Sequence, residues 1–297
     1  MNIQGRDSLS AWILAIRPAT LTAAVVPVVV GTAVAARSGV AHLGAAIAAL
    51  VAALLIQIGT NLVNDVDDFE RGADSAARQG PTRVIQAGLL SSGQVRLAAW
   101  VAFGAAAVAG SYLCLIGGWP IMAVGVAAIS SGLAYTGGPW PLGYHGLGDV
   151  FVFIFFGVVA VVGTFYVQAG YTTGLAVATS IPVGALATAI LVVNNVRDSD
   201  TDRDAGKHTL AVRLGQRAGR AEFLALVALA YAVPAALWLV WRSSLLVLLP
   251  WLTLPWAVAL SQRMAICRDG AGFNAALRST ARLHAAFGVL FAAGLMG

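Results

Sequence analysis

The chain has 297 residues, of which 59% are hydrophobic and 10% charged, and its mean hydropathy is +0.82. This excludes an ordinary soluble domain, and because the apolar residues run through the whole length, the class is a polytopic helical membrane protein. The net charge of +5 does not signal nucleic-acid binding, since the basic residues fall in short connections between apolar runs, where orientation in a bilayer accounts for them.

At about 20 to 25 residues per crossing, an all-α chain of this length is filled by its spans and forms a single domain over residues 1–297. Residues 1–10 are not followed by the short apolar core and small-residue cleavage site of a signal peptide, so the first run is read as a retained helix. The nine predicted spans are 11–36, 41–66, 95–117, 119–136, 148–169, 174–194, 220–241, 244–264 and 279–296. Arg17-Pro18 opens the first, with Pro27 inside it. The N-terminus and the even-numbered connections carry every Lys and Arg except Arg37 and Arg242. By the positive-inside rule those segments are cytoplasmic and the C-terminus lies opposite.

The acids keep to the same side. Asp65, Asp67, Asp68, Glu70 and Asp74 surround the second connection, and Asp198, Asp200, Asp202 and Asp204 begin the sixth. A carboxylate at the bilayer centre costs about 2.5–3.5 kcal/mol or more, and no predicted span carries one at its middle. The two clusters also match each other: Asn64-Asp65-Val66-Asp67-Asp68 aligns with Asn194-Asn195-Val196-Arg197-Asp198, each closing an apolar run. An even number of crossings separates them, so the repeat would be parallel, with the two helix ends able to face each other across one cavity.

If helical geometry continues past the spans, Asn64 and Asp68 share one face, as do Asn194, Asp198 and Asp202. Like charges at this spacing destabilise a bare helix, which calls for a compensating cation. Arg197 and Arg203 are candidates. Magnesium is a better one, being suited to hard Asp and Asn oxygens and commonly held by one or two carboxylates plus substrate phosphates. Arg71, Arg83, Arg203 and Lys207 are then placed for the outer phosphate oxygens. The competing reading is a solvated loop, and it is retained for the off-stripe acids Asp67, Asp200 and Asp204.

Asn61 and Gln86 are polar groups expected to line the cavity. The fourth connection, 136–147, has no Lys or Arg and carries paired glycines, Trp140, Tyr144 and His145, as a compact cap over the cavity would. His145 reads as a loop hydrogen-bonder. Cys114, Cys267, His42 and His284 form no pattern. The last three spans supply Trp238, Trp241, Trp251 and Trp256 for membrane interfaces and no evident chemistry.

Taken together, Arg17-Pro18-Ala19-Thr20, Asn64-Asp65 to Asp68 with Arg71-Gly72 and Asp74, Gly80-Pro81-Thr82-Arg83 to Gly88, Tyr135-Thr136-Gly137-Gly138-Pro139 through Gly148-Asp149, and Asn194-Asn195 through Lys207 to Gly215 give the chain a recognisable order. It resembles the UbiA superfamily of intramembrane prenyltransferases, and within it the 1,4-dihydroxy-2-naphthoate polyprenyltransferases of menaquinone synthesis. The resemblance implies nine transmembrane helices around a central cavity at the cytoplasmic side of the cell membrane. Two aspartate-rich motifs there would bind magnesium and a polyprenyl diphosphate: Asn64, Asp65 and Asp68 in the first, Asp198 and Asp202 in the second. Where relatives often carry a further acid, this chain has Gly72, with Asp74 two residues on.

The implied reaction joins the prenyl chain to an aromatic acid acceptor with loss of carbon dioxide, giving demethylmenaquinone. Tyr135 and Asp149 flank the cap and are candidates for binding or deprotonating the ring hydroxyl, Asp149 being equally readable as a helix N-cap. Tyr135, Phe151, Phe153, Phe155, Phe156 and Tyr166 offer aromatic faces for an allylic cation, or else packing and lipid contact. Arg17 is placed for an acidic substrate or for lipid headgroups, and the prenyl tail for apolar helix faces or membrane lipid. Other aromatic acceptors, 4-hydroxybenzoate or homogentisate, remain open, and so does a cation-coupled transporter. A transporter would be expected to carry ionisable groups at the midplane in inverted repeats.

Overall fold

The computed structural model describes residues 8–73 and 79–297. Arg6, Arg78 and Asp74 lie outside the described residues, and with Asp74 the question whether it replaces the acid missing at Gly72. Within them the fold is helical, with no strand. The helices are α1 Ser8–Ile16, α2 Thr22–Arg37, α3 Leu43–Glu70, α4 Ser92–Gly117, α5 Trp119–Ala134, α6 Gly148–Ala169, α7 Gly174–Asp204, α8 Leu210–Leu214, α9 Gln216–Leu239, α10 Leu245–Ile266 and α11 Gly270–Met296.

Among the described residues seven helices, α3, α4, α6, α7, α9, α10 and α11, are individually long and apolar enough to cross a membrane. Helices α1 and α2 meet that test together but are bent by 49°, and α5 is apolar but shorter. The first predicted span is thus a broken helix. Pro18 has no N–H to give and its ring crowds the preceding residue out of the right-handed helical region. Arg17 takes the left-handed conformation (φ 52, ψ 71), and a short turn at Pro18–Thr20 leads into α2. Arg17-Pro18 therefore breaks the run rather than opening it.

The second and sixth spans were expected to end at 66 and 194, yet α3 runs on to Glu70 and α7 to Asp204. The helical spacing of both acidic motifs is therefore real. Helix α7 is the central element, packed against α2, α6, α9 and α11, with Val183, Leu186, Val193 and Val196 fully enclosed. Its approach to α6 is close because Gly157 faces Gly184: a Cβ on Gly157 would lie 2.6 Å from the Gly184 Cα. At this point α6 widens into π-helical turns over Phe153–Val159, a local irregularity common near functional sites. Large apolar side chains such as Leu43, Leu115, Trp119 and Ile266 are exposed on the outside, as a lipid-facing surface requires.

Candidate active site: a cavity closed by two acidic helix ends

Helices α2 to α7 enclose a cavity of about 690 Å³. Its walls on α2, α3 and α4 include small side chains, as at Ala24, Ala49, Ala52 and Ala106, which leave room between the helices. Polar groups gather at one end, where the C-terminal turns of α3 and α7 meet the cap. Asn64 and Asp68 line this end from α3, and Asn194, Asp198 and Asp202 line it from α7. Both stripes expected from helical spacing face one space.

The first motif is held by cations. Arg83, from the connection after α3, donates from Nη2 to Asp68 Oδ2 at 3.0 Å and places Nη1 3.3 Å from Asp65 Oδ1. Arg17 Nη2 lies 3.7 Å from the same Asp65 oxygen, and Lys207 Nζ lies 3.6 Å from Asp68 Oδ1. Asp65 is 2% exposed and lies off the cavity wall, so its place is between Arg17 and Arg83 rather than at the front of the site. The break at Arg17 is stitched to α3 by Asn61, whose amide donates to the Ile16 carbonyl at 2.9 Å and Thr20 Oγ1 at 3.0 Å. Asn61 lines the cavity as expected, with its donors already committed to the protein.

The second motif is held differently. The buried Arg197 grips the adjacent Asp198 with a fork, Nε to Oδ1 at 2.8 Å and Nη2 to Oδ2 at 2.6 Å. Asp198 lines the cavity from this position. Arg203, expected to reach phosphate, instead pairs with Asp200 at 3.2 Å on the exposed side of α7. Its three-residue spacing from Asp200 makes that local pair the nearer option, while Lys207 alone of the two turns inward. Asp200 and Asp204 are exposed, as expected of off-stripe acids. Asp67 is half-buried, with its Oδ2 3.3 Å from the Thr136 hydroxyl, which donates to Asn64 Oδ1 at 2.7 Å.

The cap closes this end through Tyr144, a residue that sequence reasoning placed in the cap without assigning it a role. Its hydroxyl donates to Asp68 Oδ1 at 3.1 Å, and Lys207 Nζ and the Arg71 guanidinium lie 5.0 and 5.6 Å from its ring centroid. Burial, and next the Asp68 charge, push the Tyr144 phenol above its ordinary value, so it stays a donor. The only sequence signal was a lone tyrosine in a glycine-rich loop, and its partners come from three separate segments. Arg71 is exposed and donates to the Gly138 carbonyl at 2.5 Å, so it braces the cap rather than lining the cavity. His145 is a loop hydrogen-bonder, its Nδ1 2.8 Å from the Pro141 carbonyl and its ring stacked on Trp140.

Beyond the cap, Leu147 and not Asp149 occupies the N-cap position of α6. Asp149 is buried, lines the cavity and accepts from Asn195 Nδ2 at 3.3 Å. Tyr135 lines the same wall, its hydroxyl accommodated by the missing side chain of Gly148. Phe151, Phe155 and Phe156 face the cavity, with Phe151 and Phe155 stacked at 5.9 Å, whereas Phe153 and Tyr166 pack in the interior instead. Gln86 is exposed and off the wall: Val84 and Ile85 take the buried positions of that turn and leave Gln86 pointing out.

Among the described residues no three His, Cys, Asp or Glu side chains converge to cage a metal ion. The hard oxygen donors stand on two walls of one cavity end. Such a set fits a cation that completes its shell with a ligand's own oxygens.

The sequence model of the UbiA prenyltransferase family matches residues 24–291, and the chain belongs to that family. It is 41% identical over 223 residues to the 1,4-dihydroxy-2-naphthoate octaprenyltransferase of Mycobacterium tuberculosis, covering 75% of this chain and 76% of that protein. To the Bacillus subtilis protein of the same name it is 32% identical over 280 residues, covering 94% and 90%. The fold is shared with a UbiA homolog from Aeropyrum pernix, with a TM-score of 0.68 at 15% identity over 92% of this chain and 96% of that one. It is shared also with a UbiA homolog from Archaeoglobus fulgidus bound to DMAPP and Mg²⁺, with a TM-score of 0.65 at 15% identity over 96% and 98%.

Proposed function

We propose that this protein transfers a polyprenyl chain from its diphosphate to 1,4-dihydroxy-2-naphthoate, with loss of carbon dioxide. The observation that carries this reading is the meeting of two Asn/Asp stripes, from α3 and α7, at the polar end of one otherwise apolar cavity. The named acceptor of relatives more than 30% identical over most of the chain supports the choice of ring.

Asn64, Asp68, Asn194, Asp198 and Asp202 would hold magnesium in this reading, and the ion would supply positive charge against the diphosphate. Arg83 and Lys207, already at the first motif, supply fixed positive charge to the leaving diphosphate. The apolar walls and the Tyr144 cap exclude water, which would otherwise capture the allylic cation. The Phe151 and Phe155 faces stabilise that cation as they would any other. The ring carbon bearing the carboxylate then forms the new C–C bond. Its bond to the carboxylate breaks, carbon dioxide leaves and the electron pair returns to the ring, which becomes the prenylated quinol, the reduced form of demethylmenaquinone. Asp149 and Tyr135 sit on the wall beside Phe151 to orient the ring hydroxyls and move their protons.

In this account α1–α2 and α5 complete nine crossings, the acidic end faces the cytoplasm, where the basic connections lie, and the prenyl tail follows the apolar part of the cavity toward lipid. The test incubates membranes containing the protein with labelled prenyl diphosphate, magnesium and a panel of aromatic acids, followed by identification of the lipid product. Prenylated naphthoquinone is the expected product; transfer to another ring reassigns the acceptor, and no transfer to any ring overturns the reading.

A further inference from the structure

The two acidic motifs are joined behind the cavity by a path that none of the sequence motifs contains. Arg197, with its side chain wholly buried, uses Nε and Nη2 on Asp198 and donates its remaining arm, Nη1, to Asn274 Oδ1 at 2.7 Å. Asn274, one turn into α11, donates in turn from Nδ2 to the Gln79 carbonyl at 2.9 Å. Gln79 lies four residues before Arg83 in the connection that presents Arg83 to Asp65 and Asp68. The same α11 turn receives that connection closely, because Gly270 has no side chain: a Cβ there would lie 2.7 Å from Gln79 Cβ and 3.1 Å from its carbonyl oxygen.

We propose that Asn274 is a positioning residue, a latch on α11 that ties the Arg197-held Asp198 to the Arg83 connection and so fixes the two halves of the diphosphate site relative to each other. The chemistry of the amide suits the task. Its carbonyl accepts from a guanidinium and its NH₂ donates to a backbone carbonyl, so one side chain satisfies groups of opposite polarity on two segments. A carboxylate would keep the first bond and lose the second, and an apolar side chain would lose both. Because a diphosphate must be gripped by both motifs at once, slack between them weakens its binding while leaving the acceptor wall at Tyr135 and Asp149 untouched. Residues that orient ligating carboxylates from behind are commonly worth tenfold or more in affinity. This inference rests on the reading of the cavity as a prenyl diphosphate site.

The test uses the purified full chain with Asn274→Leu, Asn274→Asp and Gly270→Ala. Asn274→Leu should raise KM for prenyl diphosphate about tenfold, with kcat and the acceptor KM unchanged. Gly270→Ala, which displaces the connection without touching Arg197, should move the same KM in the same direction, and Asn274→Asp should produce a smaller rise. A second readout is amide hydrogen exchange over residues 79–88 with and without inorganic diphosphate and magnesium. Protection should appear in the unmodified protein and diminish in all three variants. A wild-type prenyl diphosphate KM and intact protection in Asn274→Leu and Gly270→Ala overturn the latch, as does an equal rise in both substrates' KM values. Should Asn274→Leu not fold, the other two variants decide. Should the unmodified protein transfer no prenyl group, the functional reading fails, while the exchange measurement still decides whether the latch couples the connection to diphosphate binding.

Discussion

Arg83 reaches back from the connection after α3 and donates to Asp68 across 3.0 Å, while its other terminal nitrogen stands 3.3 Å from Asp65. One guanidinium thereby spans two carboxylates that helix geometry sets three residues apart, with all three side chains buried. Removing one partner of a buried charge pair costs about 3–5 kcal/mol. Because Lys207 and Arg17 remain beside the same acids, Arg83→Ala should fall at the low end, about 3 kcal/mol of stability, with transfer largely lost. Thermal unfolding in detergent and a turnover assay check this; an unchanged melting temperature with normal turnover contradicts it. Arg83→Lys should recover part of the stability and little activity, since one ammonium cannot fork between both acids.

Tyr144 separates two contributions. Tyr144→Phe keeps the ring beside Lys207 and Arg71 and loses only the bond to Asp68. A hydrogen bond to a charged group is worth about 1.5–3 kcal/mol, so KM for prenyl diphosphate should rise at least about tenfold. Tyr144→Ala removes the ring as well and should be worse by a further measurable step. Wild-type kinetics for both variants would show the cap to be passive.

Asp149 and the acidic motifs should act on different substrates. Asp149→Asn retains the shape and its contact with Asn195, so KM for prenyl diphosphate should hold while kcat falls about a hundredfold, the lower range for a lost acid–base group. A change confined to the diphosphate KM would move Asp149 out of the acceptor wall.

The α6–α7 crossing gives a prediction about folding rather than chemistry. Gly157→Ala puts a Cβ 2.6 Å from the Gly184 backbone, where nothing flexible is available to yield. Overpacking of this kind costs about 1–3 kcal/mol, to be seen as a lower melting temperature. Gly163→Ala, on the same helix with open space at that position, should be neutral.

Much of this site was legible in the sequence because a period of about 3.6 residues survives wherever a helix does. Asn64 with Asp68, and Asn194 with Asp198 and Asp202, could be paired from spacing alone, and α3 and α7 continue far enough to honour it. Arg203 and Gln86 were misplaced for one common reason. Sequence shows a basic or polar residue near a motif but not which way a turn points, and both side chains face outward. Tyr144 and Asn274 were illegible for the opposite reason, since each acquires its meaning from partners far away in the chain. The break at Arg17 had a clear signal in Pro18, but apolar continuity on both sides concealed it.

The claim at the centre of this account is that Asp68 and Asp198 belong to a single diphosphate site. The most direct measurement is calorimetric binding of inorganic diphosphate, in the presence of magnesium, to the purified protein and to Asp68→Asn, Asp198→Asn and the double variant. Either single change should abolish most of the affinity, and the double variant should be little worse than the weaker single one, because a shared site is already lost. Independent, additive losses, or near-normal binding in both single variants, would contradict it.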